Sequence, residues 1–231
     1  MRRAFRQPEP EEGRVSGRLR SIQFPGPAGS LEGLWKEAEG ERRGAAVVGH
    51  PHPLHGGTLH NKVVYRAAQA LARSGYATLR FNFRGVGLSS GRYDAGHGEV
   101  DDFRAALDEA ERDAGLPIVA GGFSFGSAIC LKAIAGDARV AAAIALGLPL
   151  ATESGRLVPH PTVPTFYAVG ERDAYGPPEE LARFVGDSGS LVVLPGADHF
   201  FEGALEALGE AIEGFLSALP DARPAGAPAR T

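Results

Sequence analysis

Cysteine occurs once in the 231 residues, at Cys130, so no intrachain disulfide can form and a fold stapled by bridges is excluded. A single thiol also favours a reducing compartment, and a cytoplasmic location is expected. Long hydrophobic runs are missing too, since no apolar stretch approaches the roughly 20 residues that a membrane-spanning helix needs. The basic start, Arg2-Arg3-Ala4-Phe5-Arg6, has no apolar segment behind it of the kind a secretion signal carries. Gln7-Pro8-Glu9-Pro10-Glu11-Glu12 follows instead, and residues 1–14 are expected to form a disordered leader. An excess of positive charge is absent: 24 Lys and Arg stand against 28 Asp and Glu, for a formal net charge of −4. That balance argues against a nucleic-acid partner. Repeats at solenoid spacing and a Walker A phosphate loop are likewise absent.

What remains is an ordinary globular composition, 43% hydrophobic and 23% charged, in a chain long enough to bury a core without disulfides or metals. Residues 15–219 read as one domain, and the Ala/Pro-rich stretch 220–231 reads as a disordered tail. Within the domain, β-branched apolar segments alternate with segments of helical period. This pattern predicts an α/β fold, a mostly parallel twisted sheet with helices on both faces. Strands are expected over 16–23 and 31–36 as an antiparallel edge, then over 45–49, 78–83, 116–123, 140–146, 165–169 and 190–194. Helices are expected over 62–74, 100–114, 125–135, 177–185 and 202–219. Asn61 is a candidate N-cap and Gly75 a stop for the first helix. Asp101 and Asp102 suit the start of the second helix through their charge.

Gly122-Phe123-Ser124-Phe125-Gly126 fits G-x-S-x-G, which carries chemical meaning only where a strand turns sharply into a helix. Residues 116–123 and 125–135 supply that setting. The turn needs residues without bulk two before and two after the serine, as Gly122 and Gly126 are. It lifts the hydroxyl above the carboxyl edge of the sheet, where ligands of open α/β sheets bind. A bare serine is a poor nucleophile and needs a base that is oriented by a third group. The strand 165–169 runs into Gly170-Glu171-Arg172-Asp173, and the strand 190–194 into Pro195-Gly196-Ala197-Asp198-His199. Both loops leave the same sheet edge as Ser124, in the order serine, acid, histidine. Ser124, Asp173 and His199 are therefore the candidate catalytic triad, with Glu171 as a rival for the acid and Asp198 read as a turn former.

Four segments together resemble one family. They are the elbow just described, His50-Pro51-His52-Pro53 before Gly56-Gly57, Phe81-Asn82-Phe83-Arg84-Gly85-Val86-Gly87, and Asp198-His199-Phe200-Phe201. The resemblance is to small bacterial lidless serine hydrolases of the α/β-hydrolase fold, relatives of dienelactone hydrolases and acyl-peptidase catalytic domains. It spans about residues 15 to 219. It implies a carboxylesterase that cleaves small acyl esters, with Ser124, Asp173 and His199 at the family's triad positions. Dienelactone hydrolases themselves carry cysteine at the elbow, where this chain has Ser124.

An oxyanion hole is expected from the N–H of Phe125 and from one in the loop after 45–49. Proline has no N–H, so Pro51 and Pro53 cannot serve, which leaves His52 or Leu54. Aligning His50-Pro51 with the common His-Gly start of this loop favours His52. His50-Pro51-His52-Pro53-Leu54-His55 also imitates a zinc-hydrolase motif, but Leu54 stands where a ligand aspartate would, and no metal or other cofactor is expected. Gly186-Asp187-Ser188-Gly189 imitates the nucleophile segment of trypsin-like proteases and reads as a turn. The link 147–164 is too short and too rich in Pro and Gly for a cap domain. An open acyl pocket lined by Leu88, Phe125, Leu148, Tyr175 and Phe200 is expected. The expected partner is a small acyl ester, with no membrane partner. Thioesters, small peptides and a non-catalytic binding role are the alternatives.

Overall fold

The computed structural model describes residues 19–115 and 117–220. The expected leader 1–14 and nearly all of the expected tail fall outside that range. Eight strands form one sheet in the order β1-β2-β4-β3-β5-β6-β7-β8. They are β1 Leu19–Gly26, β2 Gly29–Lys36, β3 Gly44–Gly49, β4 Tyr76–Phe81, β5 Ile118–Phe123, β6 Val140–Leu146, β7 Thr165–Gly170 and β8 Ser190–Leu194. β2 pairs antiparallel with both β1 and β4, and all later pairings are parallel. β2 is thus the strand that runs against the others, inside a hairpin at the sheet's edge.

Among the described residues five α-helices cover the two faces: α1 Lys62–Arg73, α2 His97–Ala114, α3 Phe125–Ala133, α4 Pro178–Val185 and α5 Leu205–Ala218. The central strands β3, β4, β5 and β7 are buried along their whole length. Their side chains alternate between two cores. Ala45 and Val47 face α2, α3 and α4, whereas Ala46 and Val48 face α1 and α5. Each fully buried Val, Leu, Ile or Phe contributes roughly 1.5–3 kcal/mol, so this two-sided burial is the main source of stability. Among the described residues no helix is long and apolar enough to cross a membrane.

Local chemistry sets the helix starts. Asn61 Oδ1 accepts from the N–H of Val63 at 2.9 Å and caps α1, while Gly75 at φ 90° ends that segment. α2 begins three residues before the predicted Val100. Glu99 bends back to accept the N–H groups of Gly96 and Asp94, both at 2.8 Å, which satisfies donors the helix leaves open. With α2 starting at His97, Asp102 falls in its second turn and not at the helix start where its charge was expected to act. It is fully buried and accepts from Arg84 through Nε at 2.9 Å and Nη2 at 2.8 Å, fastening the loop after β4 onto α2.

Candidate functional site

The turn from β5 into α3 is built as the glycine spacing requires. Ser124 sits at φ 54°, ψ −121°, a conformation that L residues avoid and that costs about 1–3 kcal/mol. Its N–H donates to Leu146 O at 2.8 Å, tying the turn to β6. A Cβ on Gly122 would come within 2.3 Å of the Gly126 backbone, and one on Gly126 within 2.4 Å of Gly49 O. Only hydrogen at both positions lets the first turn of α3 rest on the ends of β3 and β5.

Asp173 and His199 stand on the loops after β7 and β8, beside this turn. His199 Nε2 lies 2.9 Å from Ser124 Oγ, and its Nδ1 lies 2.7 Å from Asp173 Oδ2. The other oxygen, Oδ1, accepts from the N–H groups of Tyr175 at 2.8 Å and Gly176 at 3.2 Å. That carboxylate is entirely buried, and these bonds fix its orientation so that Oδ2 is aimed at the imidazole. Nδ1–H therefore donates to Asp173, and Nε2 is left to accept the serine proton. Rings of Tyr175, Phe123 and Phe200 lie 4.6, 5.2 and 5.4 Å from the imidazole and exclude water from its flanks.

The rival carboxylates are employed elsewhere. Glu171 accepts from Gly196 N at 2.7 Å, so it joins the acid and histidine loops without reaching the imidazole. Arg172 adds a second tie to Gly196 O. Asp198 accepts from Phe200 N and Glu202 N, which shape the turn that presents His199 and hold its own carboxyl below the usual range.

Phe125 is the first residue of α3, where the N–H has no partner inside the helix. The N–H of Leu54 already donates to His52 Nδ1 at 3.2 Å, which leaves the His52 amide as the donor in this loop not engaged in that way. With Nδ1 accepting, the His52 proton sits on Nε2 and points to the Tyr93 hydroxyl at 3.0 Å. Burial first, and His55 second, hold His52 below its ordinary pKa.

His50 is turned inward. Its Nε2 accepts from Phe83 N at 3.1 Å and its Nδ1 faces Pro51 O at 2.6 Å. Burial lowers its pKa from 6.5 to about 4. With both ring nitrogens committed to backbone groups, His50 acts as a brace between the loops after β3 and β4. Among the described residues no three His, Cys, Asp or Glu side chains are grouped as metal ligands. Cys130 lies on the buried side of α3, and burial raises its thiol pKa far above the usual range.

A cavity of about 260 Å³ opens at Ser124. Phe125 and Tyr175, two of the expected lining residues, border it. Leu88 and Leu148 do not. Leu148 is fully buried in the apolar core, and Leu88 lies on an exposed turn held by its N–H bond to Glu32 at 2.9 Å. Phe200 stands against His199, outside the cavity lining. The remaining walls come from His52, His55, Ile129, Lys132, Pro149, the 93–96 loop through Tyr93, Ala95 and Gly96, and the 152–154 segment. Ile129 and Lys132 follow Phe125 at helical spacing, a signal the sequence did carry. Tyr93 and 152–154 lie on irregular loops without any periodic mark. The 147–164 link contains no helix or strand and leaves the cleft uncovered.

The serine aminopeptidase family S33 matches over residues 51–154, a span that includes the elbow and stops short of Asp173. An α/β serine hydrolase homologue from Coxiella burnetii superimposes with a TM-score of 0.79 at 38% identity, covering 84% of this chain and 96% of that one. XC6422 from Xanthomonas campestris, an α/β serine hydrolase without a lid, gives a TM-score of 0.80 at 30% identity over 87% of this chain and 97% of its own. An uncharacterized protein of Rickettsia prowazekii (strain Madrid E) is 35% identical over 210 residues, 84% of this chain and 87% of that protein.

Proposed function

The chain belongs to the lidless α/β serine hydrolases, and from that premise we propose that it is a carboxylic-ester hydrolase acting through an acyl-enzyme on Ser124. The observation that carries the reading is the hydrogen-bonded relay from Asp173 through His199 to Ser124 Oγ, which ends at the mouth of an open cavity. His199 Nε2 takes the serine proton as Oγ attacks the ester carbonyl, and Asp173 stabilises the imidazolium. The amides of Phe125 and His52 receive the oxyanion, each worth about 2.7–4 kcal/mol of barrier lowering in sites of this kind. His199 then protonates the departing alcohol. The same nitrogen draws a proton from water, whose attack on the acyl carbon releases the acid and frees Ser124. The cleft lies open to water, which suits a small soluble ester. The lone, buried Cys130 supports a cytoplasmic setting.

A fluorophosphonate probe should label the protein at one site, and Ser124→Ala should abolish both labelling and cleavage of p-nitrophenyl butyrate, by at least about 10⁴-fold in kcat. Thioester and peptide substrates run beside the ester would reassign the bond if either is cleaved faster. An unlabelled wild-type protein of native circular dichroism would place the chain among non-catalytic binders.

A further inference from the structure

The cavity at Ser124 is more polar than an aliphatic acyl chain requires. Phe125, Ile129 and Lys132 form one stripe of α3 along its wall. Lys132 closes the stripe eight residues past the nucleophile, roughly 12 Å along the helix axis. Helical side chains lean toward the N-terminus, so its stem leads back toward Ser124. The half-buried ammonium donates to Ser154 O at 3.0 Å, which uses one of its three donors. Among the described residues no carboxylate is paired with it, and burial alone depresses its pKa. A cation so placed is partly desolvated and, among the described residues, makes no ion pair.

Hydroxyl groups extend the same wall. Thr152 and Ser154 line the cavity beside Lys132, and so does Tyr93. The tautomer of His52 makes Tyr93 Oη an acceptor from Nε2–H, so the phenolic proton is free to be donated elsewhere. Glu153 is the carboxylate in the lining, and it is exposed and hydrated. Solvent screens the exposed Glu153 carboxylate more fully than the half-buried Lys132 ammonium, which favours an anion over a cation in this space.

We propose that the acyl pocket takes esters whose acyl group ends in a carboxylate, and that Lys132 receives that carboxylate. The distance along α3, shortened by the reach of the lysine stem, suits hemiesters of dicarboxylic acids of about four to six carbons. Hydrolysis consumes one water, breaks the acyl carbon–oxygen bond, and releases the alcohol and the diacid with one proton to solvent. This inference rests on the ester-hydrolase reading, and its test separates the two.

The measured quantity is the ratio of kcat/KM for p-nitrophenyl hydrogen adipate to that for p-nitrophenyl hexanoate. In the wild type this ratio should be at least about ten. Lys132→Met should lower it about tenfold, Lys132→Arg should keep it, and Glu153→Gln should raise it. A wild-type preference for hexanoate, or a ratio unmoved by Lys132→Met, overturns the proposal. Calorimetry of adipate with Ser124→Ala reads the pocket without chemistry, and the added Lys132→Met should weaken binding about tenfold. If no ester is cleaved but adipate binds in this way, the esterase reading falls and the carboxylate site stands. If esters are cleaved and adipate does not bind, the reverse holds. Should Lys132→Met fail to fold, the wild-type ratio and adipate binding to Ser124→Ala decide.

Discussion

Asp173 and Glu171 sit two positions apart on one loop, yet only Asp173 reaches the imidazole. Asp173→Asn keeps the shape but turns an obligate acceptor into a group that can present N–H to Nδ1, which favours the wrong tautomer. It should lower kcat by about 10⁴-fold, whereas Glu171→Gln should cost less than about tenfold. A pH-resolved comparison of the two variants tests this, and the reverse ranking would move the acid to Glu171. His50 gives a second residue-level expectation. The folded state holds it neutral with a pKa of about 4, while the unfolded chain takes up a proton near 6.5. Its contribution is complete above pH 6.5, is lost as the pH falls toward 4, and amounts to about 3 kcal/mol. Urea unfolding of wild type and His50→Gln at pH 7, 5.5 and 4.5 should show the gap between them closing as the pH falls. Ser124, Asp173 and His199 could be read from the sequence because each follows a strand whose end fixes where it must lie. His50 could not, because nothing in a run of histidines and prolines tells which imidazole turns inward to meet Phe83.

At the scale of elements, the elbow depends on contact between three pieces of backbone. A methyl group on Gly126 would press against Gly49 O and His50 O. Gly126→Ala should therefore lower the melting temperature, by an amount corresponding to at least about 2 kcal/mol, and lower kcat further than the loss of stability explains. The strands and their order of appearance were legible because both faces of the sheet are covered, which leaves apolar runs broken by glycine and proline. The start of α2 was not, since Gly96-His97-Gly98 has the composition of a loop and becomes helical only because Glu99 returns to cap it. The cavity at Ser124 was legible only in part. Its walls come from one helical stripe and from loops whose side-chain directions depend on tertiary contacts, as Leu148 shows by turning into the core.

For the molecule as a whole, the proposed ester hydrolysis would take place in an uncovered cleft, which bears on chain length. A cavity of about 260 Å³ can bury a short chain, and each methylene placed inside adds about 0.8 kcal/mol until the space is full. Among neutral p-nitrophenyl esters, kcat/KM should rise from acetate to about hexanoate and fall by dodecanoate. Tributyrin turnover scanned through its solubility limit should show no jump, since nothing has to open at an oil surface. A maximum at dodecanoate or a clear jump would mean that the 147–164 segment covers the cleft in solution. The solitary thiol of Cys130, enclosed in the core on the buried side of α3, has a separate consequence. Maleimides and other alkylating labels should leave the native protein unmodified. A cysteine placed at the exposed Arg156 would then be the sole reactive handle, and a fluorophore attached there would report occupancy of the cleft without any background to subtract.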